Sequence, residues 1–209
     1  MALIFTFGLG ARLYLTWVLP AWLDEIASII TAKAPVLKIL EGVADPGHLP
    51  GYYLILKIYS SFSDHLFWLR TSSLLFFIFN VFLLRKIGEI LKDRLFSLLL
   101  IFLYVFSGYF IVFDWQARMY TGVSTLIFAS YLLLLRKRIL FFTLVNIIGR
   151  YFDYAYFWYF IPLAFYISWL FIINKTKGYR DFLYSVLISS FAFLFWIPFL
   201  KRNYELGLT

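Results

Sequence analysis

The chain has 209 residues, of which 63% are hydrophobic, 23% aromatic and only 14% charged. Ordinary soluble domains are about 45–50% apolar and about 25% charged, so this composition, with a mean hydropathy of +0.85, speaks against a soluble globular protein and predicts an all-α polytopic membrane protein. The absence of Cys excludes a disulfide framework and a thiolate metal site, and the formal net charge of +8 must be located before it is read as a nucleic-acid signal.

A helix crossing the hydrocarbon layer needs about 20 mainly apolar residues, and seven such stretches follow one another along the chain. The first, residues 2–23, carries Arg12 inside it and has neither the basic start nor the small-residue cleavage site of a signal peptide. Residues 24–65 form a long polar-flanked segment. Its first part spaces Ile26, Ile29, Ile30, Val36, Leu37 and Leu40 as a helix would, with Pro35 interrupting, and predicts two short helices lying along the interface. Its second part, "VADPGHLPGYY", is rich in turn formers and predicts an ordered loop or hairpin.

The second stretch covers 66–84 with Arg70 near its start, the third 95–113, and the fourth 119–135. Between 139 and 174 the only charges are Arg150 and Asp153. At 1.5 Å per residue one helix of that length would overshoot a core of about 30 Å, so two helices are expected, near 139–152 and 155–174. The seventh runs over 182–200.

Lys and Arg concentrate in "RKIGEILKDR", "RKR" and "NKTKGYR". With seven helices and a cytoplasmic N-terminus all three loops fall on the cytoplasmic side, as the positive-inside bias requires, while Lys201 and Arg202 stand against it. The basic excess is thus explained by topology, which removes the case for nucleic acid. The unusual polar residues, Asp24, Glu25, Asp45, His48, Asp114, Arg118 and Asp153, gather on the opposite side, and Arg70 starts a helix from that same face. A site is therefore expected to face away from the cytoplasm.

Arg12, "WLDEIAS", "DPGHLPGYYLIL", "WLRTSS" and "FDWQARMYTG" occur in an order that resembles the GT-C membrane glycosyltransferases, closest to the branch of protein O-mannosyltransferases and lipid A aminoarabinose transferases. The resemblance covers nearly all of residues 10–135 and weakens afterwards. It implies inverting transfer of a sugar from a dolichyl- or undecaprenyl-phosphate donor to a glycan, lipid or protein acceptor outside the cytoplasm, in the plasma membrane of a prokaryote.

By that resemblance Asp24 matches the catalytic aspartate, a general base for the acceptor hydroxyl, with Glu25 acting directly or holding Asp24. Arg118 with Tyr120, and then Arg70, are expected on the lipid phosphate, where a planar guanidinium meets two oxygens at once. Asp45, His48, Tyr52, Asp114 and Asp153 are candidate substrate contacts. Asp24 and Asp114 together offer hard oxygen ligands for a divalent ion, although the metal remains unassigned and Gln116 stands where relatives often carry an acid. The usual H-P-P-L-Y-Y reads "HLPGYY". Relatives commonly continue with more helices, so the resemblance implies that residues 1–209 hold the transmembrane module without the C-terminal part. The rival readings are a lipid-binding or scaffold module without turnover, and a transporter or flippase. The transporter has little support, since Arg12, Asn80 and Asn146 are the chief polar residues of the expected membrane interior.

Overall fold

A computed structural model describes residues 1–42, 45, 47–174 and 177–198, and all their regular structure is helical. Eleven helices follow in order: α1 (Ala2–Val18), α2 (Leu23–Lys33), α3 (Val36–Leu40), α4 (Gly51–Ser60), α5 (Leu66–Leu91), α6 (Arg94–Phe106), α7 (Gly108–Phe113), α8 (Tyr120–Leu135), α9 (Ile139–Phe152), α10 (Tyr156–Asn174) and α11 (Lys177–Leu194).

The breaks have local causes. α1 stops at Val18, short of the expected residue 23, because Pro20 lacks an N–H and disfavours helical geometry at Leu19; α2 then leaves at 81° to it. Pro35 separates α2 from α3, as anticipated. α5 continues past the expected end at 84 to Leu91, because Arg85 and Lys86 find Glu89 one turn on, at 2.8 and 3.1 Å. Ser107, with ψ of 125°, divides the expected third helix into α6 and α7. Gly51, Tyr52 and Tyr53, the end of the stretch expected as an ordered loop or hairpin, instead open the helix α4. α11 begins at Lys177, five residues before its expected start, and the expected end near residue 200, with Lys201 and Arg202, lies outside the described residues.

α5 is the central element, packed on α1, α4, α6 and α8; α8 continues to α9, and α9 to α10 and α11. Phe77, Val81, Ile101, Tyr104 and Val105 fill the contact of α5 with α6. A larger core, including Tyr52, Leu56, Leu69, Val123, Phe142, Phe152 and Tyr156, joins α4 and α5 to α8–α11. Close approaches mark two helix contacts. A Cβ on Gly88 would lie 2.5 Å from the Ser97 Cα, and one on Gly51 would lie 2.7 Å from the Phe152 Cα, so α4 rests directly on the end of α9.

Beside this apolar core the interior also holds charges, and the surface carries large apolar side chains. Arg12, Arg70, Arg118, Arg150, Glu25, Asp114, Asn80 and Asn146 are all buried, whereas Leu3, Trp17, Leu95, Trp158, Phe165 and Phe195 are 70–85% exposed. Among the described residues one helix, over Tyr156–Ile173, is by itself long and apolar enough to cross a membrane, and α1 with α2 passes as one bent pair. α6, α8 and α9, with 13, 16 and 14 residues, fall short of a full span of about 20.

Candidate active site

The site is built where α1 ends and α2, α5 and α8 begin. The last carbonyls of a helix have no partner within it; those of Thr16 and Leu19 accept from Arg70 Nη1, both at 2.8 Å, and that of Pro20 accepts from Nη2 at 3.0 Å. The same guanidinium grips Glu25, in the first turn of α2, with Nε on Oε1 and Nη2 on Oε2, both at 2.7 Å, and lies over the Trp115 ring at 4.6 Å. A cation thus closes the C-terminus of α1 and an anion the N-terminus of α2, each in the sign its helix dipole favours. The bidentate pair fixes the bend.

Glu25 also accepts from the Ala117 N–H at 2.8 Å and the Trp22 N–H at 3.4 Å, and is fully buried. This corrects the sequence expectation for two residues. Glu25 and Arg70 stand inside the wall with their hydrogen-bonding capacity consumed by protein, so neither is open to an acceptor hydroxyl or a phosphate.

Residues 114–119, between α7 and α8, are non-helical and all buried, an arrangement that needs partners for each backbone polar group. Glu25 supplies one. Ser73 Oγ donates to the Gln116 and Arg118 carbonyls and Thr121 Oγ1 to that of Phe113. A second ion pair ties this segment to α1: Arg12 Nε meets Asp114 Oδ2 at 2.8 Å, Arg12 Nη2 donates to the Val105 carbonyl at 3.2 Å, and the Tyr104 hydroxyl donates to Asp114 Oδ1 at 3.2 Å. Burial raises the Asp114 carboxyl from 3.8 to about 6, against the opposing pull of Arg12. Asp114 is therefore a strut and not a substrate contact. Nor does it fit the expectation of an ion shared with Asp24, since both its oxygens are engaged inside the protein. Among the described residues no three His, Asp or Glu side chains gather as a metal site.

On this frame stand Asp24 and Arg118. Asp24 is next to Glu25 but turned outward, with its side chain 75% exposed. Arg118, 5% exposed, directs Nη1 to the Asp24 carbonyl at 2.9 Å and to Ser28 Oγ at 2.8 Å. Its Nη2 makes only a 3.3 Å contact with the Tyr120 hydroxyl and lies 3.9 Å from Asp24 Oδ2, while its buried Nε has no protein acceptor. Arg12 and Arg70 are neutralised by bidentate or short carboxylate contacts. Arg118 keeps unused donors beside an exposed carboxylate.

The remaining candidates line the same end of the bundle. Tyr53 hydroxyl donates to Asp45 Oδ2 at 2.5 Å, and it is close enough to Arg118 and Asp153 to feel both charges. Burial and the Asp45 carboxylate push this hydroxyl above the usual phenol range, so it stays a donor. Asp45 Oδ1 also accepts from the Gly47 N–H at 2.9 Å. His48 Nδ1 lies 3.1 Å from Asp153 Oδ2, whose Oδ1 holds the Ala155 N–H. Tyr52, the expected contact, is instead buried against Ser72 at 3.3 Å, and its neighbour Tyr53 takes the place on the site side of α4. Ser28 and Ser73 lie within "WLDEIAS" and "WLRTSS" but have no chemical distinction as sequence; only the fold reveals that they hold Arg118 and its backbone. Arg150 is a further buried guanidinium that the sequence treated as a mere charge. It donates to the Asn146 carbonyl and Ser190 Oγ, covers the Phe160 ring at 3.9 Å, and leaves Nη2 without a protein partner.

Comparison with protein-family models, with curated proteins and with solved structures finds no match to this chain.

Proposed function

We propose that this chain is an integral membrane glycosyltransferase of about seven transmembrane helices that moves a sugar from a polyprenyl-phosphate donor to an acceptor at the Asp24 end, outside the cytoplasm. The observation that carries the reading is the juxtaposition of an exposed carboxylate, Asp24, with a buried guanidinium, Arg118, whose Nε has no protein acceptor and whose Nη2 holds only the Tyr120 hydroxyl at 3.3 Å and lies 3.9 Å from Asp24 Oδ2. Membrane embedding is supported by the buried charges and exposed large apolar side chains, an arrangement that costs heavily in water. The break at Ser107 divides one apolar stretch into α6 and α7, and the turns at 136–138 and 153–155 bound α8 and α9.

In the reaction the acceptor O–H gives its proton to an Asp24 carboxylate oxygen as the acceptor oxygen attacks the anomeric carbon. The bond from that carbon to the phosphate oxygen breaks, its electron pair leaves with the lipid phosphate, and the configuration inverts. Arg118, held by Ser28 and the Asp24 carbonyl, meets the growing phosphate charge with its free N–H groups. The Tyr120 hydroxyl accepts from its Nη2 at 3.3 Å. His48 and Asp45, held from behind by the buried Asp153 and Tyr53, form the rim against which sugar hydroxyls hydrogen-bond.

The test is transfer by the purified protein in nanodiscs from a panel of radiolabelled prenyl-phosphate sugars, beside Asp24→Asn and Arg118→Ala. Label leaving the lipid, lost on Asp24→Asn while the donor still binds, supports the assignment. Donor binding without transfer by the unmodified chain would replace it with a lipid-binding module, and neither binding nor transfer would return the transporter to consideration.

A further inference from the structure

At the other end of α8, 16 residues and about 24 Å from the Arg118 end, a cleft of about 490 Å³ opens between α8, α10 and α11. Leu134, Ile167 and Leu170 give it an apolar floor, and Tyr131, Tyr166 and Lys137 stand among its lining. Lys137 belongs to the run Arg136, Lys137 and Arg138, exposed in all three side chains. Among the described residues no carboxylate pairs with any of them.

The backbone at Lys137 adds an independent observation. α8 ends in a Schellman motif, with the Arg138 N–H on the Leu133 carbonyl at 2.9 Å and the Lys137 N–H on that of Leu134 at 3.0 Å. Lys137 occupies the left-handed position of that motif, with φ of 54°. Glycine is the usual residue there because it has no Cβ to clash, and an L side chain is strained in this conformation. A lysine at this point is held at a conformational cost, at the mouth of an apolar cleft, with no carboxylate of the described residues paired to it.

We propose that this cleft binds one anionic phospholipid, with its phosphodiester on Lys137 and an acyl chain between α8, α10 and α11. The proposal goes beyond the transfer reaction and rests on the membrane reading alone. An acidic lipid satisfies both halves of the site at once, since the basic run supplies charge complementarity and the floor supplies apolar surface. A free phosphate would use only Lys137.

Native mass spectrometry of the full chain, released from detergent with phosphatidylglycerol or phosphatidylcholine of the same acyl chains, tests it. One phosphatidylglycerol is retained about fivefold more strongly than phosphatidylcholine, the preference one lysine confers at a membrane surface. Lys137→Gly relieves the backbone and keeps the fold, yet equalises the two lipids. Gly178→Trp, placed where a Cβ meets no atom within 4 Å on the cleft wall, lowers retention of both. Equal retention by the unmodified chain, persistence of the preference in Lys137→Gly, or displacement of the lipid by inorganic phosphate would overturn the proposal. Alkaline carbonate extraction of membranes separates the two readings. Release of the chain sinks membrane embedding itself, whereas retention with no lipid preference sinks the lipid site alone.

Discussion

Replacing Glu25 by glutamine distinguishes a strut from a catalytic group. The carboxylate receives Arg70 Nε and the Ala117 N–H on Oε1, and Arg70 Nη2 and the Trp22 N–H on Oε2. A glutamine oxygen can occupy one of these positions. The amide nitrogen then faces two donors at the other, and a buried guanidinium loses its counter-charge. Removing one member of a buried pair costs about 3–5 kcal/mol. For a chain of this size each kcal/mol moves the midpoint by about 2–4 °C, so an apparent melting temperature about 10 °C lower is expected in a detergent thermal-shift assay. The molecules that remain folded should still transfer sugar, because Asp24 and Arg118 are unchanged. A Glu25→Gln protein that melts like the unmodified chain, or one that melts normally and has lost all transfer, would refute the strut and restore Glu25 to the chemistry.

Asp24→Asn is expected to give the converse result. An exposed substitution should stay within about 0.5 kcal/mol in stability, while transfer falls by about 10²–10⁴-fold, the usual contribution of a general base; thermal shift and radiolabel transfer on one preparation check both. Arg118→Lys should retain donor binding better than Arg118→Ala, yet transfer poorly, because an ammonium cannot reproduce the planar fork that meets two oxygens; donor titration and turnover separate the effects. Gly51→Ala places a methyl group against the backbone of Tyr151 and Phe152, and should cost about 1–3 kcal/mol by overpacking and pull His48 away from Asp153, read as a lower melting midpoint. Asp114 gives a pH signature. Its folded value of about 6 stands above the unfolded 3.8, so the folded state binds the proton more tightly. The stability this group contributes is full below about pH 4 and is lost as the pH rises through about 6. Melting midpoints from pH 4 to 7 should lose that component in Asp114→Asn.

The helical class was legible in composition and in the succession of apolar stretches. Apolar stretches between charges, with Pro35 as a break, are local properties, and so is the division near residue 153; Pro20 is local too, yet the first stretch is expected to run through it to residue 23, whereas α1 stops at Val18. Local properties also gathered Asp24, Arg118, Asp45, His48 and Asp153 at one end. They did not foresee α4 as a helix, because its Gly-Tyr-Tyr start follows turn formers whose influence stops at Pro50.

Tertiary structure decided which of each adjacent pair faces the site. Asp24 and Glu25 are chemically alike and one residue apart, but Glu25 is drawn inward by Arg70, 45 positions away, and by the Ala117 N–H, 92 positions away. Tyr52 and Tyr53 divide in the same manner, one on Ser72 and the other on Asp45. Arg70 and Arg118 look equivalent as membrane arginines, and the difference between a saturated guanidinium and one with unused donors arises only from partners distant in the chain. On a helix, one residue is a rotation of about 100°, so the choice between wall and site rests on how the helices are rotated against each other, which is a property of packing and not of composition.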